Sequence, residues 1–431
     1  MRAVARLALV AALAACAHEP AGSPAASAPG EPASAERAGR SSGEPARPSL
    51  SPEEQARVNE FARAYADFLA RAKTVREAVR ELSALAQKSG GAVTIVEQRP
   101  DAIALARAGR RPLGEGIAIV VVPLDAPHLR LLPAPLEERE HFGMLRTTLH
   151  GTLDLKQWLS IPLALHGFIP GKPGLVIGEQ PGDPVLVVPD LLPHLAMHAQ
   201  AERIIEPSNM SVLGSLGGAR ALGEALAARG VPPDDLATGE FSVVPADAPT
   251  FVGADRALLA GYGAGSRALA YGAVRALVDA APEHGVLVIG VSSLDGASAG
   301  RPFVRTAIER SVAASGGDQW AVRGLIAHSL AVIGHAVGGE PGKGIALGPL
   351  DDDATPEAQR RLLRGIEHGG GRFQISSTEA RGAPARELST QNLDAIELGV
   401  PEMGSQAPLP VISAFDLYQG YRACKGLFEL P

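Results

Sequence analysis

The chain has 431 residues, 46% of them hydrophobic, 4% aromatic and 20% charged, with a formal charge of −7. The two signs are interspersed without a basic stripe, which argues against a nucleic-acid partner, and the low aromatic content speaks against stacking platforms for bases or sugars. Only 2 cysteines occur, Cys16 and Cys424, which excludes a Cys-based zinc site.

The N-terminus predicts export. Arg2 and Arg6 form a basic n-region, Leu7 to Ala12 an apolar stretch too short to span a bilayer, and Leu13-Ala14-Ala15-Cys16 resembles a bacterial lipobox. The mature chain is then expected to begin at a diacylated Cys16, since paired acyl chains give stable anchoring where one gives marginal binding. That places the protein in the bacterial cell envelope, lipid-anchored, with the outer membrane favoured because Ala17 is not a retention residue. It also leaves Cys424 without an intrachain partner. Residues 17–50, rich in Ala, Pro, Ser and Gly, show no apolar periodicity and predict a disordered tether. Its reach is roughly 30 Å.

A helical pair opens the globular part. The first helix starts at Pro52-Glu53-Glu54 and faces inward with Val58, Phe61, Tyr65, Phe68 and Leu69. Thr74 and Glu77 form a capping box for the next, with Val75, Val79, Leu82 and Leu85 inward. Residues 92–133 read as short strands: 93–96, 103–106, 117–122 and 129–132. From 134 to 245 strand-like pieces at 141–151, 174–177 and 185–188 alternate with Pro-Gly turns, before a helix near 218–229. Strand–helix alternation then resumes, with helices at 266–280, 302–314, 355–366 and from 413, and strands at 286–291 and 393–398. Residues 51–133 and 246–431 therefore predict one α/β domain, a mixed β-sheet sandwiched by helices, interrupted by a mostly-β insertion over 134–245.

The strand Ile117 to Val122 runs into an Asp125-Ala126-Pro127 turn, where a sheet delivers side chains to a cleft. This turn with His128-Leu129 resembles the metal loop of the dinuclear zinc aminopeptidases of the aspartyl aminopeptidase and vacuolar aminopeptidase I type, in their bacterial branch. The likeness extends along 55–430. It takes in Tyr65-Ala66-Asp67-Phe68-Leu69 and Lys73-Thr74-Val75-Arg76-Glu77, the Lys156-to-Gly167 and Asp190-to-Ala196 segments, Phe241-to-Ala246, Gly261-Tyr262-Gly263, Gly399-Val400-Pro401 and Asp416-Leu417-Tyr418. The resemblance implies a zinc-peptidase fold, an inserted dimerisation-type domain and assembly into homo-oligomers.

The same resemblance locates the metal ligands, and most are missing. A co-catalytic zinc pair needs histidine and carboxylate donors near 2 Å and a free carboxylate as base. The family's first histidine falls on Pro123, its bridging aspartate on Gly265, its general base on Leu294, a further aspartate on Ala331 and its last histidine on Gln406. Asp125, the residue that orients the first imidazole, and Asp295, a ligand position, are retained. The expected outcome is a degenerate member with no catalytic residues and no cofactor, binding a peptide or protein ligand. The alternative is an active zinc aminopeptidase with a metal site rebuilt from Asp295, His328 and His335.

Other constellations are weaker. Gly296-Ala297-Ser298-Ala299-Gly300 fits the serine nucleophile elbow, but a polar loop separates Ser298 from its strand. His194 and His198 share a helical spacing one turn after Asp190 without an accompanying base; in the family a histidine of this segment completes the neighbouring subunit's site. Asp351-Asp352-Asp353 precedes Thr355-Pro356-Glu357 and reads as acidic support for a helix N-terminus capped by Thr355. Cys424 in the terminal helix reads as a buried core thiol.

Overall fold

A computed structural model describes residues 50–190, 210–293, 300–334, 338–348, 354–376 and 392–431. The export signal, the tether and Cys16 lie outside the described residues. No helix among the described residues is long and apolar enough to cross a membrane.

Helix α1 (Pro52–Arg71) begins at Ser51, whose hydroxyl accepts the Glu54 amide, and buries the five apolar side chains read from its periodicity. Helix α2 (Val75–Gln87) opens with the Thr74–Glu77 capping box. Strands β1 (Thr94–Arg99) and β2 (Ala102–Arg107) form a hairpin, and β3 (Ile117–Pro123) follows. The chain then makes β4 (His128–Arg139), β5 (Phe142–His150), β6 (Leu163–Phe168), β7 (Leu175–Ile177) and β8 (Val212–Ser215). Helices α3 (Gly218–Ala227) and α4 (Pro233–Thr238) precede β9 (Glu240–Pro245). The return segment contains β10 (Thr250–Val252), β11 (Leu258–Ala260), α5 (Ala268–Asp279), β12 (Gly285–Val291), α6 (Gly300–Ala314), α7 (Gln319–Ala327) and β13 (Leu330–Gly334). It closes with β14 (Ile345–Leu347), α8 (Pro356–His368), β15 (Phe373–Ile375), β16 (Asp394–Gly399), β17 (Glu402–Met403), β18 (Val411–Ser413) and α9 (Ala414–Glu429).

The central sheet runs β1-β2-β12-β3-β13-β16-β14-β15. Strand β3 sits between β12 and β13, parallel to both, so it is covered on both faces and reads as an unbroken apolar run. Its side chains alternate between two cores: Ala118, Val120 and Val122 join the side of α1, α2, α5, α8 and α9. Ile117, Ile119 and Val121 join the side of α6 and α7. This is the mixed sheet between helical layers that the sequence predicts.

A second, antiparallel sheet of order β7-β6-β9-β4-β5-β8 carries its own core around Trp158. It begins at His128, six residues before the boundary expected at 134. The Pro133-Ala134-Pro135 interruption does not end the strand. Its β4–β5 register shifts between Leu131 and Leu136, with Ala134 at a φ of 50°, and pairing resumes beyond. Helix α7 and a small sheet of order β10-β11-β18-β17 were not anticipated; strands of two or three residues carry no readable alternation. Thr355 caps α8 as expected, through the Ala358 amide. Cys424 is buried in α9, where burial pushes its thiol up to about 12.

Helices α8 and α9 meet glycine to glycine. A β-carbon on Gly426 would stand 2.1 Å from the Gly365 carbonyl oxygen and 2.3 Å from the Gly369 nitrogen, backbone atoms that cannot swing aside. Gly426→Ala is therefore expected to lower unfolding free energy by about 2–3 kcal/mol, measured by urea denaturation.

Candidate functional site

The end of β3 is held by main-chain bonds: Leu124 donates to the Val291 carbonyl (2.8 Å) and Asp125 to that of Ser292 (3.2 Å). Behind the turn lies Arg267, fully buried at the start of α5. Its Nε donates to the Leu124 carbonyl (2.7 Å) and its Nη2 to that of Lys73 (3.0 Å). The Tyr262 hydroxyl donates to the Ala126 carbonyl (3.1 Å). This framework aims the Asp125 carboxylate toward the inserted sheet. Oδ1 accepts the Ala126 amide at 2.9 Å, and Oδ2 lies 2.6 Å from His150 Nε2.

His150 ends β5 and His128 begins β4, and the two are direct cross-strand partners. Their ring centroids are 4.5 Å apart. The Nδ1 of His128 meets the Ala126 carbonyl at 3.0 Å, so that nitrogen carries the proton. Burial holds His128 below the ordinary histidine range, against the attraction of Asp125. The hydrogen bond to Asp125 raises His150, despite partial burial. Burial pushes Asp125 up, but hydrogen bonding to His150 and the nearby cations outweigh it, and the carboxyl lies below its usual range.

A second polar group lies in the same cleft. His166 of β6 stands between two carboxylates, Nδ1 to Glu77 Oε1 (2.9 Å) and Nε2 to Glu179 Oε1 (3.1 Å). Lys73 Nζ lies 2.5 Å from Glu179 and donates to the carbonyls of Pro245, Ala246 and Asp247. Burial opposes a charge on His166, yet its two carboxylate bonds prevail and raise it. Lys73 and His166 thus meet the carboxylates of Glu77 and Glu179. The cleft measures about 1350 Å³ and is also lined by Arg76, Phe168, Glu240 and Ser292.

Pro123, Gly265 and Gln406 do not line this cleft. Pro123 is the last residue of β3. At Gly265 a β-carbon would come 2.3 Å from Glu402 Cδ, so a side chain there requires that carboxylate to move, and Glu402 Oε1 accepts the Gly265 amide at 2.9 Å. Gln406 is exposed, and its carbonyl accepts from the Asp154 amide and Trp158 Nε1. Ala331 lies inside β13, opposite Ile119 and Ala395 and fully buried, so it does not reach the strand end that carries Pro123. These described positions do not fit a co-catalytic zinc pair.

His328 requires a correction. It caps the C-terminus of α7, its Nδ1 bonded to the Gly324 carbonyl, and its backbone abuts Gly116 at the opposite end of β3. At about 3.3 Å per residue, the seven-residue strand puts it ~20 Å from the Asp125 turn. It cannot join a site there. Leu294, Asp295, Ser298, His335, His194, His198 and Asp351 to Asp353 lie outside the described residues; Asp190 is exposed. The His128–His150 pair was missed because the two lie 22 positions apart in sequence, and only the β4–β5 register brings them together.

A helix-sandwiched mixed sheet with an inserted antiparallel sheet defines the class, a metalloaminopeptidase fold. The sequence profile described as aminopeptidase I zinc metalloprotease (M18) matches residues 70–289, and the chain belongs to that family. A "Probable M18 family aminopeptidase 1" of Thermotoga maritima is 28% identical over 434 aligned positions, covering 86% of this chain and 96% of that one. The crystal structure of an M18 aminopeptidase from Thermotoga maritima superposes with a TM-score of 0.78 at 25% identity, over 87% of this chain and 97% of that one. The S. cerevisiae mApe1 dodecamer shares the fold, with a TM-score of 0.65 at 17% identity over 87% and 97% of the chains.

Burial raises Glu402 to about 7, against the lowering bond from Gly265. The folded state therefore keeps a proton that the unfolded chain releases near 4.5, and this group's contribution to stability falls as pH rises from about 4.5 to about 7. Glu402→Gln keeps a carbonyl acceptor for Gly265 and lacks that titration. Its melting temperature relative to the parent is expected to climb between pH 5 and pH 8, measured by calorimetry across that range.

Proposed function

We propose that this chain is a non-catalytic member of the M18 family, a lipid-anchored protein of the bacterial cell envelope that binds a peptide or protein in the cleft beside Asp125 and His166. The observation that carries the reading is the Glu402 carboxyl packed against Gly265, in the space a bridging aspartate side chain would need. Pro123 and Gln406 add two further positions without a suitable donor, and Leu294 replaces the base by the family resemblance. A cleft with charges of both signs suits a ligand carrying both, such as a peptide terminus with its neighbouring side chains. The dodecameric S. cerevisiae mApe1 supports a homo-oligomeric assembly for a chain of this fold. Acylation at Cys16 rests on the lipobox alone.

Hydrolysis assays on peptides with acidic, basic and neutral N-terminal residues are expected to show no turnover that a chelator abolishes. Chelator-sensitive turnover together with about two bound zincs per chain would overturn the reading and establish the rebuilt-site alternative. Turnover lost in Ser298→Ala and indifferent to chelator would point instead to serine hydrolysis. For the anchor, radiolabelled fatty acid is expected to enter the parent chain and not Cys16→Ala.

A further inference from the structure

Among the described residues, one group of nitrogen and oxygen donors converges where the metal-loop turn meets the inserted sheet. Asp125, His128 and His150 each offer a ligand atom, and these atoms lie within 4.8 Å of one another. We propose that these residues form a mononuclear site for a divalent transition metal of the zinc class, built on the inserted sheet and facing the cleft. The inference goes beyond the binding role above and holds whether or not the chain cleaves peptides.

Three features of the geometry support it. The first is register: His128 and His150 occupy directly opposed positions of β4 and β5, so the backbone ladder itself sets the spacing of two imidazoles. The second is the outer support that metal-bound histidines characteristically have, a hydrogen bond from the second ring nitrogen that fixes the tautomer. His128 Nδ1–H donates to the Ala126 carbonyl, and that carbonyl is held in turn by the Tyr262 hydroxyl. Nε2 is left with its lone pair. The third is the anion. Asp125 is anchored by the Ala126 amide on Oδ1 and presents Oδ2 to His150.

Zinc–ligand bonds of about 2.0–2.1 Å in tetrahedral geometry put donor atoms roughly 3.3 Å apart. His150, its side chain 44% exposed, is the adjustable member: its Nε2 stands 2.6 Å from Asp125 Oδ2 and would draw back to admit the metal between them. On binding, the metal would replace the hydrogen bond between Asp125 and a protonated His150. The aspartate keeps its negative charge, both imidazoles become neutral ligands, one proton is released to solvent, and no electron is transferred. Two imidazoles and one carboxylate favour zinc, cobalt, nickel or copper over magnesium and calcium. Three protein ligands leave a fourth position for water or a group of the bound ligand. By the family resemblance, Asp125 is the residue that orients a metal-binding imidazole. Here it would serve as a ligand itself.

The test uses the full chain, stripped with chelator and titrated with cobalt(II), with visible absorption as the readout and zinc(II) competition for affinity. About one equivalent is expected. His150→Ala and His128→Ala are expected to weaken binding by about 100-fold or more, while Asp295→Asn and His335→Gln leave it unchanged. Because a buried variant can fail to fold, copper(II) bound to the unaltered chain is read by electron paramagnetic resonance, where nitrogen couplings from two imidazoles are expected. Absence of binding, retention of binding in both histidine variants, loss in Asp295→Asn or His335→Gln, or a copper spectrum without paired imidazole couplings would each overturn the proposal.

Discussion

The organisation of this molecule depends on one buried cation. Arg267 is fully enclosed at the start of α5 and makes no direct ion pair among the described residues; it donates instead to two main-chain carbonyls, Leu124 and Lys73. An enclosed charge is costly unless its surroundings compensate for it. Here the compensation comes from carbonyl dipoles, from the Tyr262 ring 5.4 Å away and from the field of Asp125. Gly263 completes the enclosure: at a φ of 70°, a β-carbon there would fall 1.9 Å from Nη1. One guanidinium thereby fixes the exit of the central strand, the junction of the first two helices and the turn carrying Asp125.

That arrangement extends through Lys73. Its carbonyl faces Arg267, while its ammonium reaches the carbonyls at the exit of β9 and the carboxylate of Glu179. The inserted sheet is thus tied to the helical layer by a charge network, and His166 sits at its centre. Such contacts demand geometry, because a buried partner left alone costs more than the pair contributes. The cleft floor is consequently ordered by electrostatics, and the side chains presented to a ligand are held by groups that cannot relax independently.

The large elements were legible in sequence for simple reasons. The apolar run of β3 signals a strand buried on both faces, the Thr74–Glu77 box marks a helix start, and the face of α1 follows its 3.6-residue period. The contact of Gly265 with Glu402 was not legible, since Glu402 lies 137 residues further on. What escaped was pairing across distance. The β4–β5 bulge conceals the register that joins His128 to His150, and proline-rich residues 133–135 look like a break. Conversely, His328 and Ala331 adjoin the candidate positions in sequence only: His328 lies before the start of β13 and Ala331 within the sheet.

The loop carrying Gln406 shows how chemistry and architecture can part company in a single residue. Its attachment to the inserted layer runs through its carbonyl, which receives the Asp154 amide and the Trp158 indole, whereas its side chain stands in solvent. Every amino acid supplies that carbonyl. A substitution at a position of this kind changes what the loop shows to solvent and leaves its attachment intact, so one scaffold can carry different side-chain chemistry there.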